Sequence, residues 1–261
     1  MHGAVRRTRA YVTQLTILSA NLKNPYFSSW RVDRAALLAR LEAFARLVEG
    51  TAADILLCQE VGRGPEVRVD EWLAGRLGLG ALYAPANGGP RLGREEGLAI
   101  LSRYPLRDRR EALLAGGLWR RPALGAVVET PLGEIALYTA HLSLRPWRNR
   151  RGVARLRAWV EATAGARPAL IGGDFNAGEA APHIVALGAA QGGQSGWVDA
   201  FRAVQPAADG TTHELRLLGR SMARQRLDYL LLRPGDIPIR VVTSEHVAPP
   251  GAPFSDHLAV V

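Results

Sequence analysis

An α/β fold, with two β-sheets packed face to face and helices outside them, is what the 261 residues predict. Three observations lead there. Short runs rich in Val, Ile and Leu alternate with amphipathic stretches of helical period. Several of those runs are almost continuously apolar, as strands buried on both faces are. Apolar residues make up 48% of the chain, with no Pro/Gly/Ser linker and no break in composition, so it reads as one domain with a sizeable core.

The elements follow in order. "LTILSAN" (15–21) reads as a strand ending at Asn21, and "DILLCQE" (54–60) as one ending at Glu60. Between them, "RVDRAALLARLEAFARLVEG" (31–50) places Leu37, Leu41, Phe44 and Val48 on one helical face, with Gly50 as the stop. "VDEWLAGRLGLG" (69–80) is a shorter helix weakened by glycine. "GLAILS" (97–102) follows the pair Glu95-Glu96, and "IALYTAH" (135–141) ends at His141. "NRRGVARLRAWVEATAG" (149–165) is a second amphipathic helix through Val153, Leu156, Trp159 and Val160. "ALIGGDFN" (169–176) ends in Asp174 and Asn176, which share a face if the chain stays extended. "LDYLLL" (227–232) opens on Asp228, and "SDHLAVV" (255–261) on Ser255, Asp256 and His257. These last two strands are expected to be neighbours in one sheet. No internal repeat appears.

A strand that only packs has no reason to end on Asn, Glu, His or Asp. Several such ends in one domain predict a shared rim. Glu60, Asp174, Asp228 and Asp256, with His141, His257, Asn21 and Asn176, would make an oxygen-rich site without thiolate. Oxygen donors suit a hard cation, Mg²⁺ or Mn²⁺, and such an ion with open water positions suits phosphate chemistry. Cys58, the one cysteine, excludes a disulfide framework and a cysteine zinc site, and reads as a small buried hydrophobe.

The formal charge is +9, and Lys23 is the only lysine among 33 basic residues. The charge fits either general arginine usage or a polyanionic partner, nucleic acid or a phosphorylated headgroup. Residues 1–10 read as a loose basic arm and 11–261 as the domain. The apolar part of the N-terminus alternates with polar residues, as in a strand rather than a signal peptide. No apolar run approaches the roughly 18 residues of a membrane span. A cytoplasmic monomer is the expectation.

Taken together, "SANL" (19–22), "CQEV" (58–61), "EGLAILSRYP" (96–105), "TAHLS" (139–143), "GGDFN" (172–176), "RLDYLLL" (226–232) and "FSDHLAVV" (254–261) resemble the endonuclease/exonuclease/phosphatase superfamily. The motifs come in that family's order and cover the chain from about residue 15 to its end. The resemblance implies a DNase I-like α/β (α+β) four-layered sandwich, two packed mixed sheets flanked by helices. It implies in-line attack of water on phosphorus with Mg²⁺ or Mn²⁺. By position, Glu60 resembles the principal metal ligand, with Asp256 and Asn21 at the metal. Asp174 resembles the residue that orients or deprotonates water, and Asn176 a phosphate contact. His141 resembles the first active-site histidine, with Glu96 as its carboxylate partner, and Asp228 the residue that orients His257. Some nucleases of the family carry Asp where this chain has Lys23, which removes one possible ligand.

Two segments near the motifs could choose the substrate. "LRPWRNRR" (144–151) offers Trp147 and Arg148. "HELRLLGRSMARQR" (213–226) offers Arg216, Arg220 and Arg224, which a helical turn would align. Nucleic acid is the favoured substrate. The alternatives are a phosphodiesterase or phosphatase acting on a phospholipid headgroup or inositol phosphate, and a non-catalytic binding protein on the same fold. Tyr138 reads as core, and Trp30, Trp72, Trp119, Trp159 and Trp197 read as packing. His2, His183, His213 and His246 read as surface or loop residues without placed partners.

Overall fold

A computed structural model describes residues 14–28, 31–190, 196–217, 220–251 and 253–261. The basic arm at 1–10, His2 and Trp30 lie outside the described residues. Elements are numbered in chain order. One six-stranded sheet runs β13 (His246–Val247), β14 (Ala259–Val260), β1 (Ile17–Asn21), β2 (Ile55–Arg63), β4 (Arg94–Ser102) and β3 (Gly80–Gly89). The other runs β5 (Leu106–Ala115), β6 (Arg121–Thr130), β7 (Gly133–His141), β8 (Ala169–Asp174), β12 (Asp228–Arg233) and β9 (Val198–Asp199). A separate hairpin pairs β10 (His213–Leu217) with β11 (Arg220–Gln225).

Both sheets are mixed, and each holds one parallel pair. β1 and β2 are joined through the short α1 (Pro25–Ser28) and the long α2 (Arg34–Thr51), and β7 and β8 through α4 (Pro146–Ala164). Parallel neighbours need such crossovers, and the helices cover the outer faces. Three apolar clusters result. Leu37, Leu41, Phe44 and Val48 of α2 pack on β1 and β2, together with Leu73 of α3 (Val69–Leu77). Val153, Leu156 and Val160 of α4 pack on Ala136, Ile171 and Tyr229 of the second sheet. Ile55, Leu57, Ile100, Leu124, Leu137 and Leu230 fill the space between the sheets.

The helix over α2 begins where Asp33 accepts the amides of Ala35 and Ala36, but it does not stop at Gly50. It runs to Thr51, and Ala52 supplies the left-handed cap at φ 52°. In α4, Pro146 occupies the first turn, where its missing N–H costs nothing. The arginines expected on a helical turn lie instead on the β10–β11 hairpin. Arg220 and Arg224 both lie on β11, opposite Leu217 and Glu214 of β10, with an irregularity in the pairing between them. The backbone of Arg216 is in β10, and its side chain lies outside the described residues.

The glycines of "LIGGDFN" have different steric reasons. A Cβ on Gly172 would meet Leu57 Cδ1 at 2.7 Å and Ser19 Oγ at 2.9 Å, both on the opposing sheet. A Cβ on Gly173 would lie 2.2 Å from the Ala140 carbonyl oxygen of its own sheet. Backbone cannot retreat as a flexible side chain can. Gly173→Ala is therefore expected to destabilise the protein by about 3 kcal/mol, at the upper end of ordinary overpacking. A lower urea midpoint at unchanged m-value would register this.

Candidate active site

The carboxyl ends of both parallel pairs meet at one rim of the sandwich, where open α/β sheets place their ligands. Asn21 lies opposite Gln59 in the register of β1 and β2. His141 lies opposite Asp174 in β7 and β8, and Asp228 lies opposite Asp174 in β12 and β8. His257 comes just before β14, in the other sheet. The last two motifs are therefore not sheet neighbours: Asp228 and His257 meet across the gap between the sheets.

Glu60 does not end its strand. β2 continues to Arg63, and its pairing with β4 breaks between Cys58 and Val61. At that bulge Glu60 adopts φ 50°. Left-handed backbone is unfavourable for a glutamate, and bulges re-aim side chains. The bulge turns the carboxylate onto the rim, where Asn24 N donates to Oε2 at 3.1 Å. Asn176 takes the same conformation at φ 47°, so the chain turns after Asp174 rather than running on extended. Asn176 N donates to Asp174 Oδ1 at 2.8 Å, and its Nδ2 donates to the Leu142 carbonyl at 3.0 Å.

Asn21 ties the two sheets together. Its Nδ2 donates to Glu60 Oε1 at 3.0 Å and to Asp174 Oδ2 at 3.1 Å. Its oxygen accepts from Lys23 N at 3.0 Å, so the amide nitrogen, not the oxygen, faces the carboxylates. Asn21, expected at the metal, thus bridges two acids through its amide nitrogen. Asp256 lies 2.9 Å from the Lys23 ammonium. Burial opposes ionisation of Asp256, but Lys23 holds its carboxyl below the usual range.

His257 Nδ1 is 2.8 Å from Asp228 Oδ2, and its Nε2 is 4.0 Å from Asp174 Oδ2. Burial works against a charged imidazole, but the bond to Asp228 and the flanking carboxylates outweigh it and raise the pKa to about 9. Asp174 is pushed up to about 7, first by burial and then by the Asp228 charge. His141 behaves oppositely. Its Nδ1 faces Arg121 Nη1 at 3.1 Å, and a guanidinium can only donate, so Nδ1 accepts and Nε2 carries the proton toward Asp174 Oδ2 at 3.5 Å. Burial, with the Arg121 and His257 charges, keeps His141 neutral, well below its ordinary range.

The expected direct contact between Glu96 and His141 is not present. Arg121 stands between them, 3.9 Å from Glu96 Oε1. Glu96 instead receives Asn87 Nδ2 at 3.4 Å. Arg121 could not be picked out in so arginine-rich a chain. Other corrections concern residues first read as inert. His213 stacks obliquely against His257, with ring centroids 4.6 Å apart. His183 meets Asn149 Oδ1 at 2.9 Å, while buried Asn149 donates to the Ser143 and Phe175 carbonyls at 2.7 Å each. His246 stacks on Phe201. Trp119 is 48% exposed rather than packed inside.

Of the substrate candidates, Trp147 is exposed on the first turn of α4 beside Arg148 and Arg151. Arg148 donates to the Gly116 carbonyl, which fastens α4 to the loop after β5. Arg224 pairs with Asp209 at 2.6 Å, and Arg220 is exposed.

The charge assignments can be checked by histidine NMR titration of the metal-free protein. The His257 signal is expected to titrate near 9. His141 is expected to stay neutral at and above its ordinary value near 6.5. Asp228→Asn should bring His257 down toward that ordinary value. Because the folded-state pKa of His257 lies above its unfolded one, the pair contributes stability that is complete below about pH 6.5. That contribution is lost as pH rises through about 9.

The profile described as "Endonuclease/Exonuclease/phosphatase family" matches residues 18–257. Among solved structures, an endonuclease/exonuclease/phosphatase family protein from Leptotrichia buccalis superposes with TM-score 0.73 at 17% identity, over 95% of this chain and 98% of that one. D. rerio TDP2, complexed with single strand DNA product, superposes with TM-score 0.72 at 15% identity, over 94% and 96%. A family protein from Bacteroides thetaiotaomicron gives TM-score 0.66 at 18% identity, over 94% and 95%. These similarities show the shared fold. No curated protein matches the chain.

Proposed function

We propose that this chain, which belongs to the endonuclease/exonuclease/phosphatase family and is a phosphoester hydrolase, cleaves phosphodiesters of a polynucleotide with Mg²⁺ or Mn²⁺. The observation that carries the proposal is the junction of Asn21, Glu60, Asp174, Asp228, His141 and His257 across two sheet rims.

The residues present fit a hard divalent cation. Asp174, Asp228 and His257 bring ligand-type atoms within 4.8 Å of one another. Yet the imidazolium already offsets part of the charge of the two carboxylates, and with its proton on it cannot ligate. Buried Asp228 Oδ1 nonetheless lacks a hydrogen-bond partner, an acceptor in excess of the donors provided. Glu60 is partly exposed, strained into place and next to Asp174, and it would be the principal ligand. Asp256 would join only by loosening from Lys23. A bound Mg²⁺ would polarise a phosphoryl oxygen and make the attacking water more acidic.

The chain's own groups supply the remainder. Asp174, raised in pKa and held by Asn21 and Asn176, orients water and takes its proton as the new P–O bond forms. The His257 cation faces the charge growing on the phosphoryl oxygens, and Asp228 keeps it charged. His141 offers the Nε2 hydrogen. One N–H of Asn176 binds Leu142, which leaves the other for a phosphate oxygen. The old P–O bond breaks and the leaving oxygen is protonated, so one water is consumed. No helix among the described residues is long and apolar enough to cross a membrane.

The net charge of +9 favours a polyanion, and the D. rerio TDP2 structure holds single strand DNA product. The test is metal-dependent hydrolysis of plasmid DNA, abasic duplex, RNA, single-stranded oligonucleotide, sphingomyelin, inositol phosphates and bis-p-nitrophenyl phosphate. Cleavage of a polynucleotide is expected. Its log affinity should fall with log salt by about 0.7–0.9 for each phosphate neutralised. Turnover confined to lipid or inositol phosphate would reassign the substrate, and no turnover with any metal would leave a binding protein.

A further inference from the structure

Two aromatic side chains stand exposed beside the rim, one on a strand connection of each sheet. Phe27, in α1, is 39% exposed and Trp119, between β5 and β6, is 48% exposed. Their rings meet edge to face, with centroids 5.8 Å apart and planes at 74°. Apolar rings do not gather in water without a reason, and neither ring belongs to the three apolar clusters. Both are held firmly to the catalytic residues. On one side, Asn24 N bonds Glu60, and Asn24 Oδ1 accepts from Tyr26 N at 2.9 Å, directly before Phe27. On the other, Arg120 N donates to Asn87 Oδ1 at 2.9 Å and the Arg120 carbonyl accepts Asn87 Nδ2 at 3.3 Å, while Asn87 reaches Glu96. Arg121, next in sequence, contacts His141.

The surroundings are cationic. Arg120 is exposed next to Trp119 in sequence, and Arg94 Nη1 donates to the Tyr26 carbonyl, one residue before Phe27, at 3.0 Å. An edge-to-face pair covers one face of one ring, and the exposure of both side chains leaves other ring surface open. Free aromatic faces among arginines, next to a phosphate-cleaving centre, suit a chain that alternates flat bases with anions. In a duplex the base faces are covered by their neighbours, so an unpaired strand is the form that fits. Resting on the polynucleotide reading above, we infer that Phe27 and Trp119 form a stacking step for an unpaired nucleobase flanking the scissile phosphate, with Arg120 toward the backbone.

The test compares two polymers of equal length and charge, oligodeoxythymidylate and the same backbone carrying tetrahydrofuran abasic units. Affinity is read by fluorescence anisotropy in EDTA. The full-length protein should prefer the base-bearing strand by about 5- to 150-fold, the range that one lost stack produces. Trp119→Ala and Phe27→Ala should each erase most of that preference while binding of the abasic strand stays as in the parent. Trp119→Tyr should restore it, which separates stacking from a folding defect. A preference that survives Trp119→Ala, in a parent that cleaves polynucleotides, overturns the stacking step alone. A parent that binds neither strand and cleaves neither overturns the polynucleotide reading with it. Loss of binding to phosphatidylglycerol vesicles on Trp119→Ala, with no preference between the strands, would make the step a lipid contact and also overturn it.

Discussion

Glu60→Gln should remove at least about three orders of magnitude from metal-dependent turnover while leaving the fold intact. Glutamine keeps the shape of the side chain and one of the two hydrogen bonds that Glu60 accepts from Asn21 and Asn24, but loses the charge a divalent ion requires. A thousandfold loss corresponds to about 4 kcal/mol of transition-state stabilisation, well within what a metal supplies. Stability should change little in the metal-free protein, because relief of charge repulsion offsets the one accepted hydrogen bond that the new amide cannot make. Glu96 is raised in pKa by burial and then by the Glu60 charge, so neutralising Glu60 relieves a repulsion. The φ of 50° at the bulge is a backbone property that the substitution does not change. Calorimetric titration with Mn²⁺ and thermal unfolding check both halves. Unchanged metal affinity together with retained turnover would remove Glu60 as the ligand.

Asp228 and His257 should behave as one unit. The two are 2.8 Å apart and come from different sheets, so the contact depends on the whole sandwich. Asp228→Asn preserves a hydrogen bond to Nδ1 but withdraws the charge that keeps the imidazole cationic. Turnover should then fall by about two orders of magnitude or more, with substrate affinity little changed, because the cation acts on charge that develops only in the transition state. His257→Ala should cost more. The double variant should be scarcely worse than His257→Ala alone, since groups that act together lose their effect together. Losses that multiply in the double-mutant cycle would show that the residues act separately.

Much of this rim was legible in the sequence because strand ends carry a chemical signature. A buried apolar run that finishes on His141 or Asp174 states where the run stops and which groups it presents. The helices were legible from the spacing of Leu37, Leu41, Phe44 and Val48, although α2 ends at Thr51 because the left-handed cap forms at Ala52 and not at Gly50. The β10–β11 hairpin was misread because four-residue spacing of arginines does not reveal that the chain reverses between Arg216 in β10 and Arg220 in β11. Glu60 reaches the rim through a bulge rather than the strand end assumed for it, since a bulge leaves no mark in an apolar run. Arg121, Asn87 and Asn149 were invisible for a different reason. Each acts through a contact made only after the chain folds, and nothing distinguishes a positioning arginine from 31 others in one sequence. Trp119 looked like core because most tryptophans are; its exposure is a property of the loop.

The measurement that bears most directly on the central claim is single-turnover cleavage of an oligonucleotide in ¹⁸O-labelled water, with Mg²⁺ and with EDTA. Water attacking phosphorus at this rim places one ¹⁸O on the phosphate-bearing product and none on the released hydroxyl, and EDTA abolishes the reaction. Label on the hydroxyl product, or cleavage at the same rate in EDTA, would contradict it.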